Sequence, residues 1–282
     1  MRYLLAEGRC IPIELSFSKR GTNNQGRGRY AIPSKRKAAM LSSAKWKIAA
    51  VTVIVLILLS VGAYGLRRNL VYAVSPAVGL VSNVVYYHTG ARTWQNTRWL
   101  GVPLQKYPTD LMAYQEIISE TRPDVLIEAG TYKGGSAFYF ASLFDLLGKG
   151  RVITMDIEDF PDKPKHPRIE YLVMSSISDE AVRHIKAEVK PEDRVMVSLD
   201  SNHTVQHVSR ELQIYSQLVS KGCYLVVEDT NINGHPVNFA YGPGPMEAVE
   251  AFITKNHNFE IDRSREKFML TVSPKGYLRR IQ

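Results

Sequence analysis

The side chains best placed to do chemistry stand where apolar runs stop. "VMVSLDSNHTVQHV", Val195 to Val208, is an apolar run that ends on Asp200, with His203 just beyond it. A second run, "CYLVVED", ends on Glu228 and Asp229. If the two runs are neighbouring strands, their ends lie about 4.8 Å apart. Three carboxylates crowded at one spot repel unless a cation neutralises them. Oxygen donors in that number suit Mg²⁺, with waters or substrate oxygens completing the octahedron. Adjacent strand residues face opposite ways, so Glu228 and Asp229 reach one ion only if the chain has already turned. Without an ion, the same acids read as helix caps and solvated loop carboxylates. His203, near the start of the next helix, becomes the candidate general base, its ring kept neutral by the helix N-terminus. His207, one turn on, is assigned no function.

A second constellation lies earlier. In "EAGTYKGGS", Glu128 to Ser136, Gly130 permits a tight turn. Gly134 and Gly135 would let a ligand approach the backbone at a helix N-terminus, with Thr131 and Ser136 beside it. The spacing is not the G-x-G-x-x-G of dinucleotide binders. Asp156 ends the following apolar run, where a carboxylate can accept both hydroxyl protons of a ribose. Turn and acid together point to a nucleoside-containing ligand.

Positioning these residues requires a particular framework. From Tyr107 onward strand-like runs ("VLIEAG", "RVITMDI", "IEYLVM", "RVMVSLD", "CYLVVED") alternate with helix-like segments. That order indicates an α/β domain: a mostly parallel sheet with right-handed crossovers and helices on both faces. Ligands then bind beyond the carboxyl ends of the strands, where Glu128, Asp156, Ser175, Ser176, Asp200, Glu228 and Asp229 all fall. "FEID" and "KFMLTVS" read as an antiparallel pair at the sheet edge, and "NGHPVNFAYGPGP" (Asn233 to Pro245) as a mobile lid.

Residues 1–47 hold 11 Lys/Arg against two Asp/Glu, which accounts for the whole formal charge of +9; the remainder is neutral. The folded part therefore has no positive field for phosphates, and nucleic acid is not an expected partner. The two cysteines, Cys10 and Cys223, build neither a disulfide framework nor a metal site. Residues 1–47 read as a basic, disordered tail, and Met40 offers an alternative start. Residues 48–66, uncharged throughout, span roughly 28 Å as a helix and read as a transmembrane segment. A linker, 67–106, carries the one-sided valine stripe of Leu70 to Tyr87, expected as a separate amphipathic helix; residues 107–282 form the catalytic domain. The basic flank places the N-terminus in the cytoplasm, whereas supply of a cytosolic cofactor places the catalytic domain there.

The blocks "TRWLGVPLQKYPTDLMAYQEII", "IEAGTYKGGS", "VSLDSNHTVQHVSRELQIYSQLVSKGCYLVVEDT" and "GPGPMEAVEAF…FEIDRSREKFMLTVSPKGYLRR" resemble the cephalosporin hydroxylase / rhamnosyl O-methyltransferase family. The likeness covers roughly Thr89 to Arg280 and is most specific in "LDSNH" and "VVEDT". It implies a Rossmann-like methyltransferase that uses S-adenosylmethionine (SAM) and Mg²⁺. Carried over, Asp200, Glu228 and Asp229 are the metal ligands and His203 the base. Glu128, Gly130 and Asp156 match cofactor positions, with Ser175 or Ser176 near the adenine. The expected acceptor is a hydroxyl, of a small molecule or of a sugar in a glycolipid or glycan; self-association is left open. The N-terminal anchor departs from the soluble family members. The rival readings are an NAD-dependent oxidoreductase and a non-catalytic, membrane-anchored binding protein.

Overall fold

Five apolar runs become the parallel part of one twisted sheet. The structure is a computed structural model describing residues 35–282, and the chain divides into two compact units, Met1–Gly65 and Leu66–Gln282. A two-residue ladder, β1 (Arg98–Trp99) with β2 (Val102–Pro103), leads into helix α2 (Pro108–Thr121). The main sheet follows: β3 (Val125–Ala129), β4 (Arg151–Asp156), β5 (Ile169–Val173), β6 (Val195–Leu199), β7 (Tyr224–Val227), β8 (Phe259–Ile261) and β9 (Tyr277–Arg280). Its order is β5-β4-β3-β6-β7-β9-β8. Strands β3 to β7 are parallel, and β9 is antiparallel to both β7 and β8.

Period-two alternation assigns each strand residue to one of two cores. Val125, Ile127 and Ala129 face Ala181, Ile185, Val208, Leu212, Ala248 and Val249 of α4 (Asp179–Glu188), α5 (Val205–Tyr215) and α6 (Pro245–Lys255). Leu126 faces Tyr114, Ile117, Phe140 and Phe144 of α2 and α3 (Gly135–Leu147). With both faces covered, β3, β6 and β7 are buried along their whole length. Strand order reverses between β3 and β6, which opens a crevice at their carboxyl ends.

The N-terminal expectations need correction. Residues 1–34 of the expected tail lie outside the described residues, as does Cys10. Helix α1 runs from Lys35 to His88 without the break expected before Leu70, and Pro76 lies inside it. A proline there leaves the carbonyl four residues back without its helical donor; the Ser75 hydroxyl bonds the Tyr72 carbonyl at 3.1 Å instead. Within α1, Val51–His88 is long and apolar enough to cross a membrane.

The edge pair also differs. "FEID" is β8, but its partner is "YLRR", β9, rather than "KFMLTVS". Side chains take four of the backbone groups of Met269–Val272. Asn83 donates to Met269 O and accepts from Thr271 N, Thr109 donates to Leu270 O, and Asp110 accepts from Val272 N. Met269 adopts φ +63°, which ends any extended run. Asn83 is buried near the end of α1, so these bonds fasten that end of the helix to the sheet domain.

The expected lid is pinned at both ends. Glu247 of α6 accepts from Asn233 Nδ2, pairs with His235 and accepts from Gly244 N. Phe239 and Tyr241 remain exposed at the tip. Cys223 is a free, buried thiol.

Candidate active site

A cavity of about 790 Å³ opens at the carboxyl ends of β3, β4, β6 and β7, and it gathers residues from both constellations. Gly130, Thr131, Ser136, Asp156, Ser175 and Ser176 line it, as do Asp200, His203, Glu228 and Asp229. Glu128 and Gly134 do not appear on its wall.

The two constellations touch at Gly130. Asp200 N donates to Ala129 O at 2.8 Å, and a Cβ on Gly130 would sit 1.9 Å from Asp200 O. Gly130 has φ +99°, so glycine is required for both conformation and space. Gly134 and Gly135 serve differently from expectation. The space beside Gly134 is filled by the Tyr171 hydroxyl, and that beside Gly135 by the Pro103 carbonyl. These two glycines admit other parts of the chain, although Gly135 also borders the cavity.

On the β3/β4 side, acids are held by neutral donors. Asp156 Oδ2 accepts Tyr132 N–H at 2.8 Å and Oδ1 accepts Glu158 N–H at 3.1 Å. Glu128 is wholly buried; its Oε2 accepts from the Thr154 hydroxyl at 2.6 Å, and its Oε1 has no partner among the described residues. Burial, outweighing the attraction of Lys106 and the hydrogen bonds, pushes the Glu128 carboxyl up to about 7. Ser176 Oγ donates to Glu211 at 2.5 Å and bonds His207 at 3.1 Å, so His207 has a structural partner.

On the β6/β7 side, acids are held by cations. His203 Nε2 lies 3.3 Å from both Asp200 Oδ1 and Asp229 Oδ2. Asp200, His203 and Asp229 offer ligand atoms within 4.8 Å of one another. The anticipated turn is present: Asp229 adopts φ +53°, so its side chain no longer alternates with that of Glu228. Glu228 Oε1 is engaged elsewhere, by Lys106 Nζ at 2.6 Å and the Tyr114 hydroxyl at 2.6 Å. Lys106 also reaches Asp200 Oδ2 at 2.8 Å.

The electrostatics follow from that arrangement. Burial raises the Asp200 carboxyl, but Lys106 and His203 together hold it below the usual range. Burial and the Asp200 charge push Glu228 up despite Lys106. His203 lies near the start of α5, as expected, but its charge departs from expectation: although burial pushes its pKa down, Asp229 and Asp200 bring it up to about 9. Flanking carboxylates outweigh the helix terminus.

Lys106 and Tyr114 are the site residues that sequence reasoning passed over. Lys106 is a single lysine in a loop, and Tyr114 occupies an apolar helix stripe. Their polar atoms matter only because the fold brings residues 94 to 122 positions away against them.

A doubly covered parallel sheet with an antiparallel edge, and a ligand crevice at its topological switch, defines a Rossmann-like methyltransferase fold. It aligns with a solved structure of CmcI without ligand at TM-score 0.52 and 21% identity, covering 67% of this chain and 77% of that one. The family model for rhamnosyl O-methyltransferase/CmcI matches residues 91–281. A rhamnosyl O-methyltransferase of Mycobacterium tuberculosis (strain H37Rv) is 39% identical over 218 residues, 74% of this chain and 88% of that protein. The Mycobacterium leprae rhamnosyl O-methyltransferase is 35% identical over 200 residues, 68% of this chain and 86% of that protein. The chain belongs to the rhamnosyl O-methyltransferase/CmcI family, and with it to the O-methyltransferases.

Proposed function

We propose that this protein transfers a methyl group from SAM to a sugar hydroxyl, assisted by Mg²⁺, with the acceptor carried on a glycolipid or glycan. The observation that carries this reading is the single cavity shared by the Gly130 turn, Asp156 and the Asp200–His203–Asp229 cluster. A CmcI structure described as containing Mg and SAM shares the fold at TM-score 0.50 and 20% identity.

The residues fit both groups. The tight Gly130 turn, with no room for a Cβ, and Asp156 beside it on the cavity wall mark a cradle on the β3/β4 side. Asp156 would accept from the ribose there, and Thr131, Ser136, Ser175 and Ser176 would line the rest. On the other side, Asp200 and Asp229 supply hard oxygen donors, with Glu228 as the third carboxylate. When bound there, Mg²⁺ supplies Lewis acidity that lowers the acceptor hydroxyl's pKa. His203 would receive the hydroxyl proton; a cation shared by Asp200 and Asp229 removes the pull that keeps its ring charged. Lys106 holds Asp200 and Glu228 in place. Binding both reactants across the Gly130 turn supplies proximity.

The apolar helix anchors the enzyme in a membrane, with the catalytic domain on the cytosolic face where SAM is made. Methyl transfer from labelled SAM to a rhamnosyl glycolipid, by the full chain in detergent, should be seen and be abolished by EDTA. Absence of both SAM binding and transfer overturns the reading. Protease cleavage of the domain from outside intact cells overturns the cytosolic placement.

A further inference from the structure

One wall of the cavity is left without a role by these assignments. Tyr87, at the end of α1, Trp94, in the short helical turn that follows, and Tyr107, capping α2, all line it together with Asp229. The rings are fixed by one another. Trp94 stacks on Tyr87 with centroids 5.9 Å apart and planes at 25°, and its Nε1 donates to Tyr87 O at 3.1 Å. Tyr107 meets Tyr86 edge-on at 4.6 Å and Trp94 at 6.5 Å. Tyr87 and Trp94 are half-buried, so ring surface remains open.

Tyr107 supplies the second observation. It is wholly buried, and among the described residues its hydroxyl has no hydrogen-bond partner. A buried hydroxyl without a partner is costly, and a ligand hydroxyl is one way to satisfy it. Rigid aromatic surface with one convergent polar group is how a site takes an amphipathic ligand. A pyranose is such a ligand, since its ring carbons form an apolar face and its hydroxyls radiate from the edge. A 6-deoxy sugar adds a methyl group to that apolar side.

We propose that Tyr87, Trp94 and Tyr107 form the subsite for the acceptor sugar. The Tyr87 and Trp94 rings take its apolar face, and the Tyr107 hydroxyl pairs with one of its hydroxyls. Another hydroxyl of the ring is thereby directed toward Asp229. This rests on the sugar-methyltransferase reading above and adds which residues select the acceptor. The subsite is built partly from the end of α1, so the acceptor is received beside the apolar helix.

The test uses the full chain in detergent micelles and methyl α-L-rhamnoside as probe, with Tyr107→Phe and Trp94→Leu. Tyr107→Phe keeps the ring packing and deletes only the hydroxyl. It should raise KM for the rhamnoside on the order of tenfold, with kcat and SAM affinity near wild type. Trp94→Leu should raise KM further. Saturation-transfer NMR, which needs no SAM, should show magnetisation passing from the protein to the sugar's ring protons in the wild type and less of it in both variants. A wild-type KM and a wild-type NMR signal in both variants overturn the subsite. SAM binding with no saturation transfer to the rhamnoside also overturns it, while leaving SAM-dependent methyl transfer standing. Rhamnoside binding that the variants weaken, in a protein that binds no SAM, supports the subsite and overturns the methyltransferase reading.

Discussion

The two sides of the cavity neutralise their acids by opposite means. Beside β3 and β4, Glu128 and Asp156 are met by a hydroxyl and by backbone N–H groups, and Glu128 keeps a buried oxygen with no partner among the described residues. Beside β6 and β7, Asp200, Glu228 and Asp229 are met by Lys106 and His203. The first side suits a ligand that brings its own hydroxyl or amine donors. The second is already charge-compensated, so a divalent ion entering there competes with cations built into the chain. Substitutions on the two sides should therefore fail in different ways.

The largest effect is expected at His203. His203→Ala removes the proposed proton acceptor and leaves the carboxylates in place, so methyl transfer should fall by roughly 10²–10⁴-fold. SAM affinity, which the proposal assigns to the other side, should be unchanged in calorimetry. Near-normal turnover would reduce His203 to a structural counter-charge.

Lys106 sharpens the comparison. Lys106→Met leaves Asp200 and Glu228 buried without their shared cation, which should cost about 3–5 kcal/mol of stability. Mg²⁺ should then raise the melting temperature of the variant more than that of wild type, because it replaces the lost charge. An equal Mg²⁺ response in both proteins would show that lysine and metal do not share a site.

The β3/β4 side has its own signature in pH. The Glu128 carboxyl is lifted by burial from 4.5 to about 7 in the folded protein. The folded state therefore holds its proton more tightly than the unfolded chain does. The associated stability, on the order of 3 kcal/mol, is fully present below pH 4.5 and lost as pH rises through 7. Glu128→Gln should flatten that part of the stability profile, measured by denaturant melts from pH 4.5 to 8. An unchanged slope would mean the carboxyl ionises without penalty.

Which of these features could be read in the sequence follows from how local each one is. Runs such as "VLIEAG" and "RVMVSLD" announce buried parallel strands because each strand carries its own apolar pattern, and the acids that end them mark the cavity. Alternation also shows that Glu228 and Asp229 can face one ion only if the chain has turned, and Asp229 does adopt φ +53°. Other features depend on distant partners. Lys106 acquires its meaning from Asp200 and Glu228, and "KFMLTVS" fails as a strand because Asn83 and Asp110 take its backbone bonds. The break expected before Leu70 is absent from α1, and at Pro76 the Ser75 hydroxyl bonds the carbonyl that the proline leaves without a donor. Neither periodicity nor spacing encodes such pairings.

The smallest effect is expected at Asp156, where the two roles of one carboxylate must be separated. Each oxygen already holds one backbone N–H, from Tyr132 and from Glu158, and each has a second lone pair to offer a ribose hydroxyl. Asp156→Ala removes both roles, so SAM binding should weaken by about 1–3 kcal/mol, part of it through a loosened Tyr132 turn. Asp156→Asn keeps one oxygen, which can serve the turn and one ribose hydroxyl, while its NH2 group cannot accept the other hydroxyl proton. It should therefore lose about half as much affinity while melting close to wild type. Calorimetry that finds wild-type SAM affinity in both variants removes Asp156 from the site. Equal losses in both, accompanied by equal drops in melting temperature, assign it to the turn alone.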